Sequence, residues 1–144
     1  MSVARYVLAF AFDLTGQVAL IKKNRPDWQR GRLNGIGGKI EDGELPSMAM
    51  AREFEEETGV SVHPASWQLR GTMKGQSSFH IDVFTVKAPQ IARVSTVGDE
   101  LVALYKPEHL LPSRCIENVP ALIALCMIPV AEPSGVFPTF ELRY

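Results

Sequence analysis

The chain is poor in several things, and each shortage narrows what it can be. It has two cysteines, Cys115 and Cys126, with no C-x-x-C spacing. That argues against a disulfide-framed miniprotein or a cysteine zinc site, and for free thiols in a reducing compartment. Charge of one sign is also missing: 15 Lys and Arg face 16 Asp and Glu, for a net −1 and a pI near 6.3. No global basic field exists to hold a long polyanion, which speaks against a nucleic-acid-binding protein but not against a small nucleotide bound through a metal. Long hydrophobic runs are lacking too. RYVLAFAFDLTGQVALI, near the start, is cut by Asp13 and has no basic region followed by a cleavage site, so it reads as strand rather than signal peptide. VPALIALCMIPV at 119–130 is too short to cross a bilayer and holds two prolines. The expectation is a cytoplasmic protein that does not engage a membrane. With no repeat, low-complexity tract or linker, residues 1–144 read as one domain.

What is present is enough apolar material for a core, 46% of the residues, in a pattern that alternates strand and helix signals. Residues 5–12 and 17–22 read as strands of a hairpin, joined by a turn at Asp13–Gly16. Residues 24–38, with four glycines and a proline among polar residues, read as a loop. A helix follows. Pro46 suits its first turn, Asp42 and Glu44 lie near its positive end, and Gly59 suits its stop. Segments 67–73, 79–87 and 100–105 read as strands, with Gly75–Ser78 as a turn. Residues 117–128 read as a second helix with Asn118 near its start, and the tail 131–144 as ending in a short strand. Strands with two packed helices make an α/β sandwich.

The segment that carries chemistry is GKIEDGELPSMAMAREFEEETGV, residues 38–60. On a helix, Glu53, Glu56 and Glu57 share an arc of roughly 100°, while Glu55 points away. Three carboxylates at i, i+3 and i+4 repel one another. A hard divalent cation, Mg²⁺ or Mn²⁺, wants such oxygens and would relieve the repulsion. A solvated acidic helix face is the competing explanation, which the adjoining glycine-rich loop and Arg52 weaken without excluding.

Spacing goes further. The segment resembles the Nudix signature, G-x5-E-x7-R-E-U-x-E-E-x-G-U, with U apolar. Gly38, Glu44, Arg52, Glu53, Glu56, Glu57 and Gly59 fill its fixed positions, and Phe54 and Val60 its apolar ones. The resemblance implies a Nudix α/β/α sandwich with a mixed sheet and a loop–helix catalytic box. It implies that Glu53, Glu56 and Glu57, with the Gly38 carbonyl, hold the metal. Arg52 would orient a helix carboxylate, and Glu44 would support the site or the helix start. Gly37, Gly38 and Gly59 would be positions where a side chain blocks the loop or the helix stop. The implied reaction is attack of a metal-activated water on a phosphorus of an X–O–P–P linkage, with Glu53 the first and Glu57 the second choice of general base. Of the pair Asp99-Glu100 before the strand at 100–105, Glu100 is the preferred extra metal ligand.

The box reports chemistry, and the substrate is read outside it. LNGIGGK at 33–39 resembles the W-N-G-F-G-G-K stretch of MutT-like enzymes that cleanse oxidised purine nucleotides, with Asn34 at the base-reading asparagine and Leu33 in place of tryptophan. IENVPALIAL at 116–125 resembles their C-terminal helix start, which puts Asn118 at a purine contact, although a helix N-cap explains it equally. Lys23 and Lys39 are candidate phosphate contacts and Trp28 a candidate base stack; solvated lysines and a packed loop tryptophan are the plain alternatives. Phe79 and His80 could line the cleft. Marks of ADP-ribose, dinucleotide and NADH enzymes are missing: positions 75–77 read Gly-Gln-Ser and no tyrosine lies between Val60 and Tyr105. The expectation is a nucleoside triphosphate pyrophosphohydrolase acting on a small-molecule nucleotide, as monomer or homodimer. ADP-ribose or another nucleoside-diphosphate compound, RNA 5′-ends, and an inactive nucleotide-sensing module stay open.

Overall fold

The computed structural model describes residues 3–76, 78–129 and 139–144. Eight of the nine residues of strand β1 (Ala4–Phe12) are apolar, and the strand lies at the centre, buried on both faces over most of its length. A strand covered on two sides cannot alternate polar and apolar, which is why YVLAFAF runs unbroken. β2 (Val18–Lys22) returns antiparallel, pairing Ala11 with Ala19. The turn between them is tied by Asp13, whose Oδ1 accepts from Thr15 N–H (2.9 Å), Thr15 O–H (2.7 Å) and Gln17 N–H (2.9 Å).

The glycine-rich stretch differs from its expected loop. It holds a 3₁₀ turn (Asp27–Gln29) and two short strands, β3 (Leu33–Asn34) on β2 and β4 (Ile36–Lys39) on β1. Glycine usually signals a loop, but here small residues let β4 lie flush on β1, and Leu33 and Ile36 bury in opposite core layers. Helix α1 (Pro46–Thr58) follows, then β5 (Gln68–Gly75) and β6 (Phe79–Lys87) as an antiparallel pair, β7 (Leu101–Tyr105), α2 (Val119–Met127) and β8 (Phe140–Arg143). The expected strands, both helices and the final short strand are thus present with ends moved by one or two residues. The part of the tail at 130–138 and Ser77 of the expected turn lie outside the described residues.

The sheet runs β3-β2-β1-β6-β5-β8, with β4 also on β1 and β7 on β2. It is mixed: β1–β6 and β5–β8 are parallel, the other pairs antiparallel. Period-two alternation sends Val7, Ala9 and Ala11 to the layer under α1, with Met50, Phe54 and Trp67. Leu8, Phe10 and Phe12 go to the opposite layer, with Val119, Leu122 and Ile123 of α2. The result is the expected α/β/α sandwich. Among the described residues no helix is long and apolar enough to cross a membrane. Both cysteines are free and buried, and burial pushes the Cys126 thiol up to about 11.

Candidate functional site

Segment 38–60 folds as a strand end, a turn and a helix. Pro46 fills the first helical position, yet no side chain caps the helix start. Glu44 takes another job: its carboxylate accepts from Glu41 N–H (3.1 Å) and from both sides of the Arg52 fork, Nε at 2.8 Å and Nη2 at 2.9 Å. Asp42 likewise lies outside the first turn. The helix stops at Gly59, whose φ of +75° is a left-handed conformation that a side chain would strain, and whose N–H donates to Glu55 (2.9 Å).

Arg52 is the hub of the box. Besides Glu44 it donates to Glu53 (2.9 Å), to Glu56 (3.4 Å) and to the Lys39 carbonyl (3.1 Å). The Arg52 hydrogen bond holds Glu44 below the usual carboxylate range, against the opposing effect of burial. The Glu53 carboxyl lies against Gly38, so close that a Cβ added there would land on it. Burial raises the Glu53 pKa, opposed by Arg52. Glu57 is pushed up to about 7, first by burial, with Glu53, Glu100 and Glu56 adding repulsion and Lys23 opposing it.

Glu100 joins from the residue before β7, next to the end of β2. It is 8% exposed and accepts from Lys23 Nζ (3.1 Å) and from Asn24 N–H (2.6 Å). Its neighbour Asp99 instead points outward to Arg25. Of the two acidic residues weighed from the sequence, Glu100 is therefore the one electrostatically linked to the box.

Among the described residues, no three acidic, histidine or cysteine side chains are gathered closely enough to hold a metal ion. Glu56 is exposed and turned to Arg52, Glu53 is also on Arg52, and Glu57 turns to the cavity. The donor set nonetheless fits a hard divalent cation. Five carboxylates (Glu44, Glu53, Glu56, Glu57 and Glu100) share the two cations Arg52 and Lys23, all donors are oxygens, and Gly38 leaves the Glu53 carboxyl unobstructed.

Beside these carboxylates opens a cavity of about 870 Å³. Lys23, Glu57, Gly37 and Gly38 line it. So do Asn34, Asn118 and Trp28, with Met73, Phe79 and Ile81. Six expected site residues, Lys23, Trp28, Asn34, Gly38, Glu57 and Asn118, thus line one cleft. Lys39 does not reach it: exposed at the end of β4, it contributes only its carbonyl, to Arg52. His80 is also outside, bonded to Asp82 at 2.9 Å. Asn118 stands at the N-cap position of α2 without capping it, because its amide faces Met73 and Tyr144. Trp28 is 64% exposed, so a packed loop tryptophan is ruled out. The sequence carried no signal for Tyr144, Met73 or Arg32, which line the cavity only because β5, β8 and the 30–32 turn converge there.

Solved structures share this architecture. A structure described as MutT from Aliivibrio salmonicida and Vibrio cholerae is 23% identical with a TM-score of 0.64, covering 85% of this chain and 95% of that one. A MutT NUDIX hydrolase from Burkholderia pseudomallei is 18% identical with a TM-score of 0.70, over 87% and 98%. A NUDIX hydrolase from Nitrosomonas europaea is 14% identical with a TM-score of 0.72, over 100% and 80%. At these identities the likeness bears on the fold. The family itself follows from the chain's own residues: 3–114 match the NUDIX domain model. The chain belongs to the NUDIX family, as a pyrophosphohydrolase.

Proposed function

We propose that the protein is a divalent-cation-dependent enzyme that cleaves nucleoside triphosphates to nucleoside monophosphate and pyrophosphate, with oxidised purine triphosphates as candidate substrates. The observation that carries this reading is the make-up of the cavity wall: Glu57 of the box and Lys23, together with the amides Asn34 and Asn118 and the aromatics Trp28 and Phe79. A nucleotide calls for both, a charged phosphate chain and a flat, hydrogen-bonding base.

Glu53, Glu56, Glu57 and Glu100, with the Gly38 carbonyl, would hold Mg²⁺ or Mn²⁺. When bound, the cation supplies Lewis acidity, making a water more acidic and offsetting charge on the phosphates. Water attacks phosphorus in line, the bridging P–O bond breaks, and pyrophosphate leaves. Of the box carboxylates it is Glu57 that lines the cavity, which favours it over Glu53 as the acceptor of the water's proton. Glu53 is engaged by Arg52 and has a positioning part. Lys23 offers its ammonium to the phosphates, while Asn34 and Asn118 face the base and Trp28 covers it.

The test is turnover of a panel of triphosphates, ADP-ribose and dinucleotides with Mg²⁺, with products identified. Pyrophosphate release from a triphosphate, lost in Glu57→Gln and Glu53→Gln, is the expected result. Orthophosphate release, a preference for ADP-ribose, or mutants as active as wild type would overturn it. A panel without turnover would leave a nucleotide-sensing module.

A further inference from the structure

Tyr144 follows β8, the strand that adds to the sheet parallel to β5, and its N–H donates to the Lys74 carbonyl at 2.9 Å. That pairing carries its ring to the cavity, 6.3 Å from the Phe79 ring with the planes tilted by 42°. Its Oη accepts a hydrogen bond from Asn118 Nδ2 at 3.1 Å. The same Asn118 nitrogen lies 3.4 Å from Met73 Sδ. A thioether has no hydrogen to give, so the amide atom facing it must be the N–H₂ and the orientation is settled by chemistry. Both Asn118 protons are thus taken by Tyr144 and Met73. No donor among the described residues reaches its Oδ1, so the group left for a ligand is an acceptor.

Asn34 is the opposite case. Its Oδ1 accepts from Gly35 N–H at 2.8 Å, and a backbone amide can only donate. What remains for a ligand is its N–H₂. The segments bearing the two asparagines are neighbours, joined by Ile116 N–H to the Leu33 carbonyl at 3.0 Å.

We propose that Tyr144 is a specificity-determining residue, acting by position: it holds the Asn118 amide so that its carbonyl faces the ligand. The cavity then takes a base that offers an N–H to Asn118 and an acceptor to Asn34. This rests on the reading of the cavity as a nucleotide site. Without the phenol oxygen, one Asn118 proton loses its acceptor and only the weak thioether acceptor of Met73 holds the amide, which can then turn and present N–H₂ to a base that also offers N–H. Two donors then meet, and the contact is lost.

The experiment is Tyr144→Phe, which keeps the ring and removes the oxygen. Its first readout needs no substrate: the Asn118 side-chain ¹⁵N–¹H₂ pair, assigned by its loss in Asn118→Ser. The pair is expected to shift and to exchange faster with water in Tyr144→Phe. The second readout is KM and kcat for a set of triphosphates differing only in base, with Mg²⁺. KM for the best base is expected to rise about fivefold, with the effect on KM rather than kcat and the differences between bases narrowed. An unmoved amide pair, unchanged differences between bases, or a uniform fall across all bases would overturn the proposal. If no triphosphate is turned over, the functional reading fails by itself, and the amide pair alone decides whether Tyr144 sets the Asn118 orientation.

Discussion

Gly37 and Gly38 are adjacent, yet adding one methyl group to each should produce opposite defects. At Gly37 the new Cβ would run into the Val7 carbonyl and the Leu8 backbone of β1. Backbone at the centre of a sheet cannot step aside, so β4 itself must lift. Overpacking of this kind costs about 1–3 kcal/mol, which for a domain of this size is a Tm loss of roughly 3–10 °C. At Gly38 the atoms nearest the new Cβ are those of the Glu53 carboxyl, the far end of a flexible side chain. Glu53 can swing away, losing its 2.9 Å bond to Arg52 at a cost of about 1 kcal/mol or less at this partly exposed pair. The fold survives while the carboxylate is misplaced by an ångström or more, and a displacement of that size costs on the order of 10²-fold in rate. Gly38→Ala should therefore melt within about 3 °C of wild type and lose about 10²-fold in kcat/KM on the best substrate of the panel. Gly37→Ala should melt early. Differential scanning calorimetry and initial rates on both variants decide the matter. A fully active Gly38→Ala, or one as unstable as Gly37→Ala, would refute the reasoning.

Arg52→Lys should behave almost as badly as Arg52→Ala, with a stability loss of about 1–3 kcal/mol by urea titration, because a point charge cannot replace the two-pronged bond to Glu44. A lysine variant with wild-type stability would show that charge alone suffices. At Asp13, burial raises the pKa, but the Thr15 hydroxyl and the backbone N–H groups of Gln17 and Thr15 outweigh it and leave the group below 3.8. Its stabilisation is thus complete above the ordinary Asp value and is lost as pH falls through the lower folded one. Asp13→Ala should lose about 1–2 kcal/mol at neutral pH and show a flatter acid limb in urea midpoints; a limb as steep as wild type would remove Asp13 as its source. Cys115 and Cys126, both buried with raised pKa values, should resist a thiol reagent at about pH 8 until denaturant is added. Rapid labelling of the native protein would contradict that burial. Added Mg²⁺ should raise Tm, by about 2.7 kcal/mol of binding at a hundredfold excess over Kd, and Glu57→Gln should cut the shift. An unchanged Tm in wild type would remove the metal reading.

Local rules made much of the molecule legible in advance. The covered strand at 4–12, the helix between Pro46 and Gly59, and the helix beginning near Asn118 each follow from a period, a proline or a glycine acting within a few residues. The Nudix spacing is similarly local: Gly38, Arg52 and the glutamates must sit at set offsets because one turn and one helix hold them all. Glu100 was also within reach, since it stands beside a strand and only burial had to separate it from Asp99.

What the sequence by itself determined, then, is the chemistry of the box: an acidic helix face behind a glycine strand, with Arg52 among the carboxylates. Tertiary structure alone decided the rest. The glycine stretch became β4 because β1 needed a close neighbour there, which no local propensity expresses. Lys39 dropped out of the cleft and Lys23 stayed in it, a difference of direction rather than residue type. Asn118 gave its amide to Met73 and Tyr144 instead of capping its helix, since the β5–β8 pairing brings together residues 73 and 144, 71 positions apart. The acidic helix face is written in one short segment and can be read from it, whereas the cavity wall is assembled from strands that meet only in the folded sheet.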